Sequence, residues 1–535
     1  MTPRVVVLGL DGATLDLISP WAAAGALPTF AALLQGGASG RLRSTSPPIT
    51  PVAWPTIYTG TNAGKHGVIG FEKRVPGEYR WTKSSALDLR RRPLWELLAE
   101  EEMRSAAFFA PYTFPARPIE GWIVAGRGAP SGITEGRSAP EGLASDLARR
   151  FGEIDLFGAR RPPGHKLGDI AGALVRSIES QTDALLWTLQ QESFDFVFTV
   201  WDQTDTAGHL LWHHTDVPCP DVGSPMHGVY AAIDRSFERV LDTVSDDTLV
   251  VVCSDHGCYP IEHRARVPLW LEREGFLARR TTAGSRVLSA AGNVWLRLPE
   301  GVRRALPRAA TKRVGAKHEE TFRQNTLVDW TSTRVYPQPV SAEAFYLNLA
   351  GREPSGAVAP DEAEGVLAEL EAALRDMRTP DGRPLVRATV RGDEAFRGPH
   401  RGSAPDLVAE LERGVYFSPT PAGELFDSPA RPSMDDPPRS LGYHDPDGVL
   451  LLHGPRVEGG TVEGARVEDV MPTILRYLDV AIPEDVDGSP LVTAFTTSPA
   501  PRSRPPEGET VQSGELRPEE EADIERQLKD LGYIE

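Results

Sequence analysis

The sequence predicts an α/β protein with a mostly parallel central sheet flanked by helices on both faces. Three observations carry this. Short runs rich in β-branched residues recur at Val5–Leu10, 194–200, 248–253, Leu407–Leu411 and 449–452, and continuously apolar strands belong to sheets buried on both sides. Longer stretches with helical spacing, such as 169–191 and 362–377, lie between several of these runs. Acidic residues and histidines fall just beyond the runs, where the loops of an open parallel sheet converge on one crevice.

With 535 residues the chain has room for about two or three average domains, or one large α/β domain with insertions. The formal charge of −18 repels nucleic-acid backbones, so no nucleic-acid partner is expected. Three cysteines are too few for a disulfide framework. Cys253 and Cys258 bracket "SDHG", but no second pair completes a four-cysteine site, and Cys253 ends an apolar run as a buried thiol would. No apolar run approaches the ~18–20 residues of a transmembrane helix. The opening "MTPRVVVLGLDG" reads as a strand rather than a signal peptide, so a cytoplasmic location is expected.

Taken in order, residues 1–265 form the first part of a catalytic core. Within them, 72–165 is rich in Pro, Gly and Arg and reads as an excursion from the sheet. Residues 266–329 carry Arg279, Arg280, Arg303, Arg304, Arg308, Lys312 and Arg313 among Leu and Val. That pattern reads as an inserted basic cap, although solvated helix faces would look the same. Residues 330–496 return to the core, and 497–517 are a Pro/Ser/Glu linker. A helix closes the chain at 518–535, with Pro518 in its first turn and Gly532 at its stop. Ile524, Leu528 and Leu531 share one face of it, ready to dock on the body or a partner.

The chemistry lies at the strand ends. Asp11 follows the first run, Asp205 and His209 follow 194–200, Asp255 and His256 follow 248–253, and His444 precedes 449–452. Any one of these is ordinary, since an Asp after a strand commonly caps a helix or makes a turn. Together they would repel one another without cations between them. Mixed carboxylate and imidazole donors suit zinc or a similar first-row metal.

"GLDGAT", "PPITPVAW", "TGTNAGKHG", "DTAGHLLW", "CSDHG" and "GYHDPDGVLLLHGP" stand in the order found in the alkaline phosphatase superfamily. The chain most resembles its type I phosphodiesterase/nucleotide pyrophosphatase branch, in a prokaryotic, cytoplasmic form. Later segments such as "DWTSTRVYP", "LNLAGREPSGAV" and the closing "LKDLGYIE" extend the resemblance over most of the chain. It implies an alkaline-phosphatase-like fold and two divalent metal ions, zinc first and manganese as the alternative. One site would use Asp205, His209 and His444. The other would use Asp11, Asp255 and His256, with Thr50 as ligand and nucleophile. A threonine hydroxyl is hardly ionised at neutral pH, so it needs a metal or a base to attack phosphorus. The implied reaction is hydrolysis of phosphoric diesters or nucleotide pyrophosphates through a phosphothreonine, with a small-molecule phosphate ester or nucleotide as substrate.

Ser46, Thr56 and Thr59 are local rivals that sequence chemistry does not separate from Thr50. Trp54 and Lys65 are candidate substrate contacts, but packing under the loop is the better reading of Trp54 and buttressing it the better reading of Lys65 and His66. One departure weakens the nucleotide reading. Ala53 stands where nucleotide pyrophosphatases carry an asparagine that donates to phosphate. No Cys/Ser-x-Pro-x-Arg motif surrounds Thr50, which disfavours a sulfatase. A phosphomonoesterase on the same scaffold is the nearest alternative, followed by a non-catalytic metal-binding or interaction protein.

Overall fold

A computed structural model describes residues 3–132, 135–153, 166–212, 221–280, 328–429, 440–510 and 514–530. Among the described residues, nine strands form the central sheet. They are β1 (Val5–Leu10), β2 (Ala38–Arg43), β3 (Ser105–Ala110), β4 (Gly121–Ala125), β5 (Ser138–Ala139), β6 (Phe196–Trp201), β7 (Leu249–Cys253), β8 (Asp447–His453) and β9 (Gly460–Thr461). Their spatial order is β9-β2-β8-β7-β1-β6-β3-β4-β5. Five neighbours, β7 through β4, run parallel. Strand β8 opposes both of its neighbours, and β5 opposes β4. Leu10 pairs with Trp201 and Gly9 with Cys253, so three strands end on one rim.

Side-chain alternation divides these strands between two cores. Val5, Val7, Phe196, Phe198 and Val251 lie under α3 (Thr50–Thr59) and α8 (Val470–Tyr477). Val6, Leu8, Val197 and Val250 lie under α1 (Leu15–Ala23), α2 (Pro28–Gly36), α4 (Leu167–Gln191) and α6 (Pro225–Leu241). Each such Val or Leu contributes roughly 1.5–3 kcal/mol by leaving water, which is why the runs are largely apolar on both faces.

Two expectations change. Residues 72–165 supply β3, β4 and β5 to the sheet. Their apolar runs, "SAAFFA" and "GWIVA", are short and embedded in Pro, Gly and Arg, which hides their strand signal. Leu407–Leu411 belongs to a separate antiparallel sheet with Val335–Pro337, Ala344–Leu347 and Val386–Arg391. Helix α7 (Ala363–Arg375) covers that sheet, not the central one, through Val366, Leu370 and Leu374. An apolar run states that a strand is buried, not which sheet buries it.

The bulk of the expected cap, 281–327, lies outside the described residues. Helix α9 (Pro518–Asp530) docks Ile524 and Leu528 into the first core, while Leu531 lies outside the described residues. The preceding stretch runs along the body: Ser503 and Arg504 pair with Ile482 and Pro483, and Thr510 N–H donates to the Arg90 carbonyl. No single helix among the described residues is long and apolar enough to cross a membrane.

Candidate active site

Asp11 leaves β1 at the rim, anchored where its N–H meets the Trp201 carbonyl at 3.0 Å and its own carbonyl accepts from Thr204 Oγ1 at 2.6 Å. Gly12 follows with φ +67°, and a Cβ there would come within 3.0 Å of Asp205. Glycine is therefore required on both counts. Its N–H donates to Asp255 Oδ1 at 3.1 Å, tying the β1 and β7 ends together. Thr50 opens α3, and its hydroxyl donates to Asp11 Oδ1 at 3.3 Å.

His256 faces the same hydroxyl. Its Nδ1 lies 2.9 Å from the Gly257 carbonyl, an acceptor only, so Nδ1 carries the proton. The Nε2 lone pair then points at Thr50 Oγ1 (3.4 Å), Asp255 Oδ2 (3.4 Å) and Asp11 Oδ1 (3.7 Å). Asp255 Oδ2 is buried and has no hydrogen-bond partner.

The second group forms beside the first. Helix α5 (Gln203–Leu210) places Asp205 and His209 four residues apart on one face, with Nε2 3.3 Å from Oδ1. His209 Nδ1 donates to the Gly442 carbonyl at 2.9 Å, which fixes the same tautomer as in His256. The strand Gly442–Asp445 pairs with Gly257–Pro260, setting His444 opposite Cys258 and its ring 4.0 Å from that of His256. His444 Nε2 lies 3.0 Å from His209 Nε2 and 3.7 Å from Asp205 Oδ1. Tyr443 stacks on the His444 ring at 4.8 Å and donates its hydroxyl to Glu343 at 2.9 Å. Donor atoms of Asp205, His256 and His444 fall within 4.8 Å of one another, as do those of Asp11, Asp255 and His256. The two groups are thus contiguous through His256.

Burial, then the charges of Asp255 and Asp205, push the Asp11 carboxyl well above its usual range. Burial likewise lifts Asp255. Burial would lift Asp205 too, but His209 and Arg127 outweigh it and hold that carboxyl well below the usual range. Burial and two neighbouring imidazoles drive His444 down. A buried set of three carboxylates facing three imidazole nitrogens is starved of positive charge.

These donors fit a cation. Tetrahedral bonds of about 2.0–2.1 Å give ligand-to-ligand edges of ~3.3 Å. The edges observed among Asp205, His209 and His444 are 3.0, 3.3 and 3.7 Å. Those joining Thr50, Asp11, Asp255 and His256 run from 3.3 to 3.7 Å.

All seven residues read from the sequence as metal-ligating therefore meet at one place. The rival hydroxyls are spent elsewhere: Thr56 on the Val52 carbonyl and His66, Thr59 on the Pro55 carbonyl and Thr61. Ser46 shows no contact with the cluster. Trp54 is fully buried beneath the site, edge-on to Phe198, and donates Nε1–H to Asp11 Oδ2 at 3.3 Å. Lys65 reaches the Asp485 carbonyl and the Asp487 carboxylate, both at 2.8 Å.

Arg127 escaped the sequence reading. Its guanidinium is buried against Asp205 Oδ2 at 3.0 Å. The signal was a Gly-Arg-Gly immediately beyond a short strand, overlooked because attention fell on Asp and His. A small cavity adjoins His209 and His444, with Ile49, Phe71, Val340, Tyr416 and Tyr443 among its walls.

A mostly parallel sheet that gathers carboxylates, imidazoles and one hydroxyl beyond its strand ends has the make-up of a phosphoester hydrolase. A family model for type I phosphodiesterase / nucleotide pyrophosphatase matches residues 5–446, and the chain belongs to that family. Among solved structures, phosphonoacetate hydrolase from Sinorhizobium meliloti 1021 in complex with phosphonoformate is similar at 16% identity and a TM-score of 0.52, over 88% of this chain and 94% of that one. Murine ectonucleotide pyrophosphatase / phosphodiesterase 5 is similar at 13% identity and a TM-score of 0.46, over 89% and 95%. The former likeness is one of fold. A comparison with curated protein sequences returned no significant match.

Proposed function

We propose that the chain hydrolyses small phosphoric diesters, with Thr50 as nucleophile, zinc held by the seven residues, and a phosphothreonine on the way. The observation that carries this is the position of Thr50 Oγ1, 3.3 Å from Asp11 Oδ1 and 3.4 Å from His256 Nε2. Asp205, His209 and His444 would hold one cation; Asp11, Asp255, His256 and Thr50 would hold the other. When bound, such cations supply Lewis acidity, favouring the alkoxide of the threonine and neutralising charge on phosphoryl oxygens.

Thr50 Oγ1 attacks phosphorus while the bond from phosphorus to the leaving oxygen breaks, and its proton passes towards Asp11 Oδ1 or His256 Nε2, the two acceptors beside it. Water then attacks the phosphothreonine, the bond to Oγ1 breaks, and the hydroxyl is restored. Thr50 sits at the first turn of α3, where the positive end of the helix favours a developing oxyanion. Tyr443 and the Gly442 carbonyl keep His444 and His209 aimed inward, so the donors need little reorganisation.

Diesters are favoured over monoesters because the Arg127 fork is committed to protein oxygens and leaves no guanidinium there for a phosphate dianion. The buried methyl of Ala53 offers no amide donor, which favours a simple diester over a nucleotide. Paired assays on bis-p-nitrophenyl phosphate and p-nitrophenyl phosphate test the preference, with the diester expected to be faster. Thr50→Ala should cost roughly 10³-fold or more in turnover. An unchanged rate removes the threonine mechanism.

A further inference from the structure

We propose that Arg127 is a positioning residue that confines Asp205 to one inward oxygen, sets positive charge beside Asp11, and keeps the protein folded before metal arrives. The inference rests on reading those two aspartates as cation ligands.

The placement begins with the sequence "VAGRGAP" at the end of β4. A Cβ on Gly126 would lie 1.9 Å from the Phe109 carbonyl oxygen, and Gly128 has φ +87°. Only a Gly-Arg-Gly turn brings the arginine back over the rim. Its Nη1 then donates to Asp205 Oδ2 at 3.0 Å, and its Nη2 to the Asp202 carbonyl at 2.9 Å and Thr206 Oγ1 at 3.2 Å. Its Nε lies 3.3 Å from Asp202 Oδ2 and 3.8 Å from Asp11 Oδ2.

The Asp205 oxygen met by the guanidinium, and the Asp11 oxygen nearest to it, are the ones turned away from the imidazoles. The opposite oxygens, Asp205 Oδ1 and Asp11 Oδ1, face His209 and His444, and Thr50 and His256. The charge offsets part of the repulsion between Asp205 and Asp11, and the planar fork fixes Asp205 against the Asp202 carbonyl and Thr206 in a way a lysine's single ammonium would not. The turn is held from behind by α9: Ser131 N–H donates to Asp523 Oδ2 at 2.6 Å, and Gln527 Nε2 to the Ala129 carbonyl at 3.0 Å.

The test is thermal unfolding of the full chain, wild type against Arg127→Gln, each with chelator and with saturating Zn²⁺. The wild type should melt higher with zinc. In the variant that gap should widen by roughly 5 °C or more, because the uncompensated carboxylates burden the metal-free form most. Equal losses in both conditions mean an arginine that only packs, and overturn the proposal. A wild type with no zinc-dependent gap overturns the metal reading and this proposal with it. Should Arg127→Gln not accumulate as folded protein, the same melts on Arg127→Lys decide, and a gap equal to wild type refutes the role of the fork.

Discussion

Replacing Glu343 with glutamine removes a buried titratable proton just behind the site without touching a proposed ligand. The carboxyl is fully buried, and its Oε1 accepts from the Tyr443 hydroxyl at 2.9 Å while Oε2 has no hydrogen-bond partner. Burial lifts its pKa from an ordinary 4.5 to about 7. The folded state therefore holds a proton that the unfolded chain releases, so this group's stabilising contribution is complete below pH ~4.5 and is lost as pH rises to about 7. At ~1.4 kcal/mol per pH unit the whole effect is about 3 kcal/mol, of which about 2–3 kcal/mol disappears between pH 5 and pH 8. Glutamine carries no such proton. Urea unfolding of wild type and Glu343→Gln, followed by tryptophan fluorescence at both pH values, reads the difference directly. The variant should gain on the wild type by about 2–3 kcal/mol from pH 5 to pH 8. A difference that does not change with pH would refute a protonated Glu343.

Trp54→Phe keeps the packing on Phe198 but loses the N–H bond to Asp11. Zinc affinity by chelator competition should fall roughly 10–100-fold, and unchanged affinity would make Trp54 a packing residue alone. Lys65→Met breaks the ties to Asp485 and Asp487, so the melting temperature should drop by a few °C. KM for bis-p-nitrophenyl phosphate should hold within about twofold; a large rise in KM with an unchanged melt would instead restore Lys65 as a substrate contact. Asp523→Ala combined with Gln527→Ala frees the turn that carries Arg127. Its zinc-dependent melting gap should widen in the same direction as in Arg127→Gln, but less, and no widening would detach the helix from the site.

Asp11 and Asp255 were legible because a largely apolar parallel strand makes the first carboxylate after it conspicuous, whereas Asp202 is the first after β6 and Asp205 stands out only beside His209. His209 was legible from helical spacing, since four residues on from Asp205 is the same face. His444 was legible only as a histidine just ahead of 449–452; that it meets His256, 188 residues away in sequence, was not, because the pairing of Gly257–Pro260 with Gly442–Asp445 has no local signal. The strands in 72–165 were missed where composition masked short apolar runs, and Leu407–Leu411 was misplaced because burial does not name a partner sheet. Arg127 was missed for a chemical reason: an arginine serves a cation site only by holding its carboxylates, a role no ligand motif announces.

Metal bound per chain, measured by elemental analysis after equilibrium dialysis against Zn²⁺, tests the cluster most directly. About two ions per wild-type chain are expected, and about one in His209→Ala, whose loss opens one group and spares the other. A wild type that retains no zinc, or a His209→Ala variant that still retains two ions, would contradict the account.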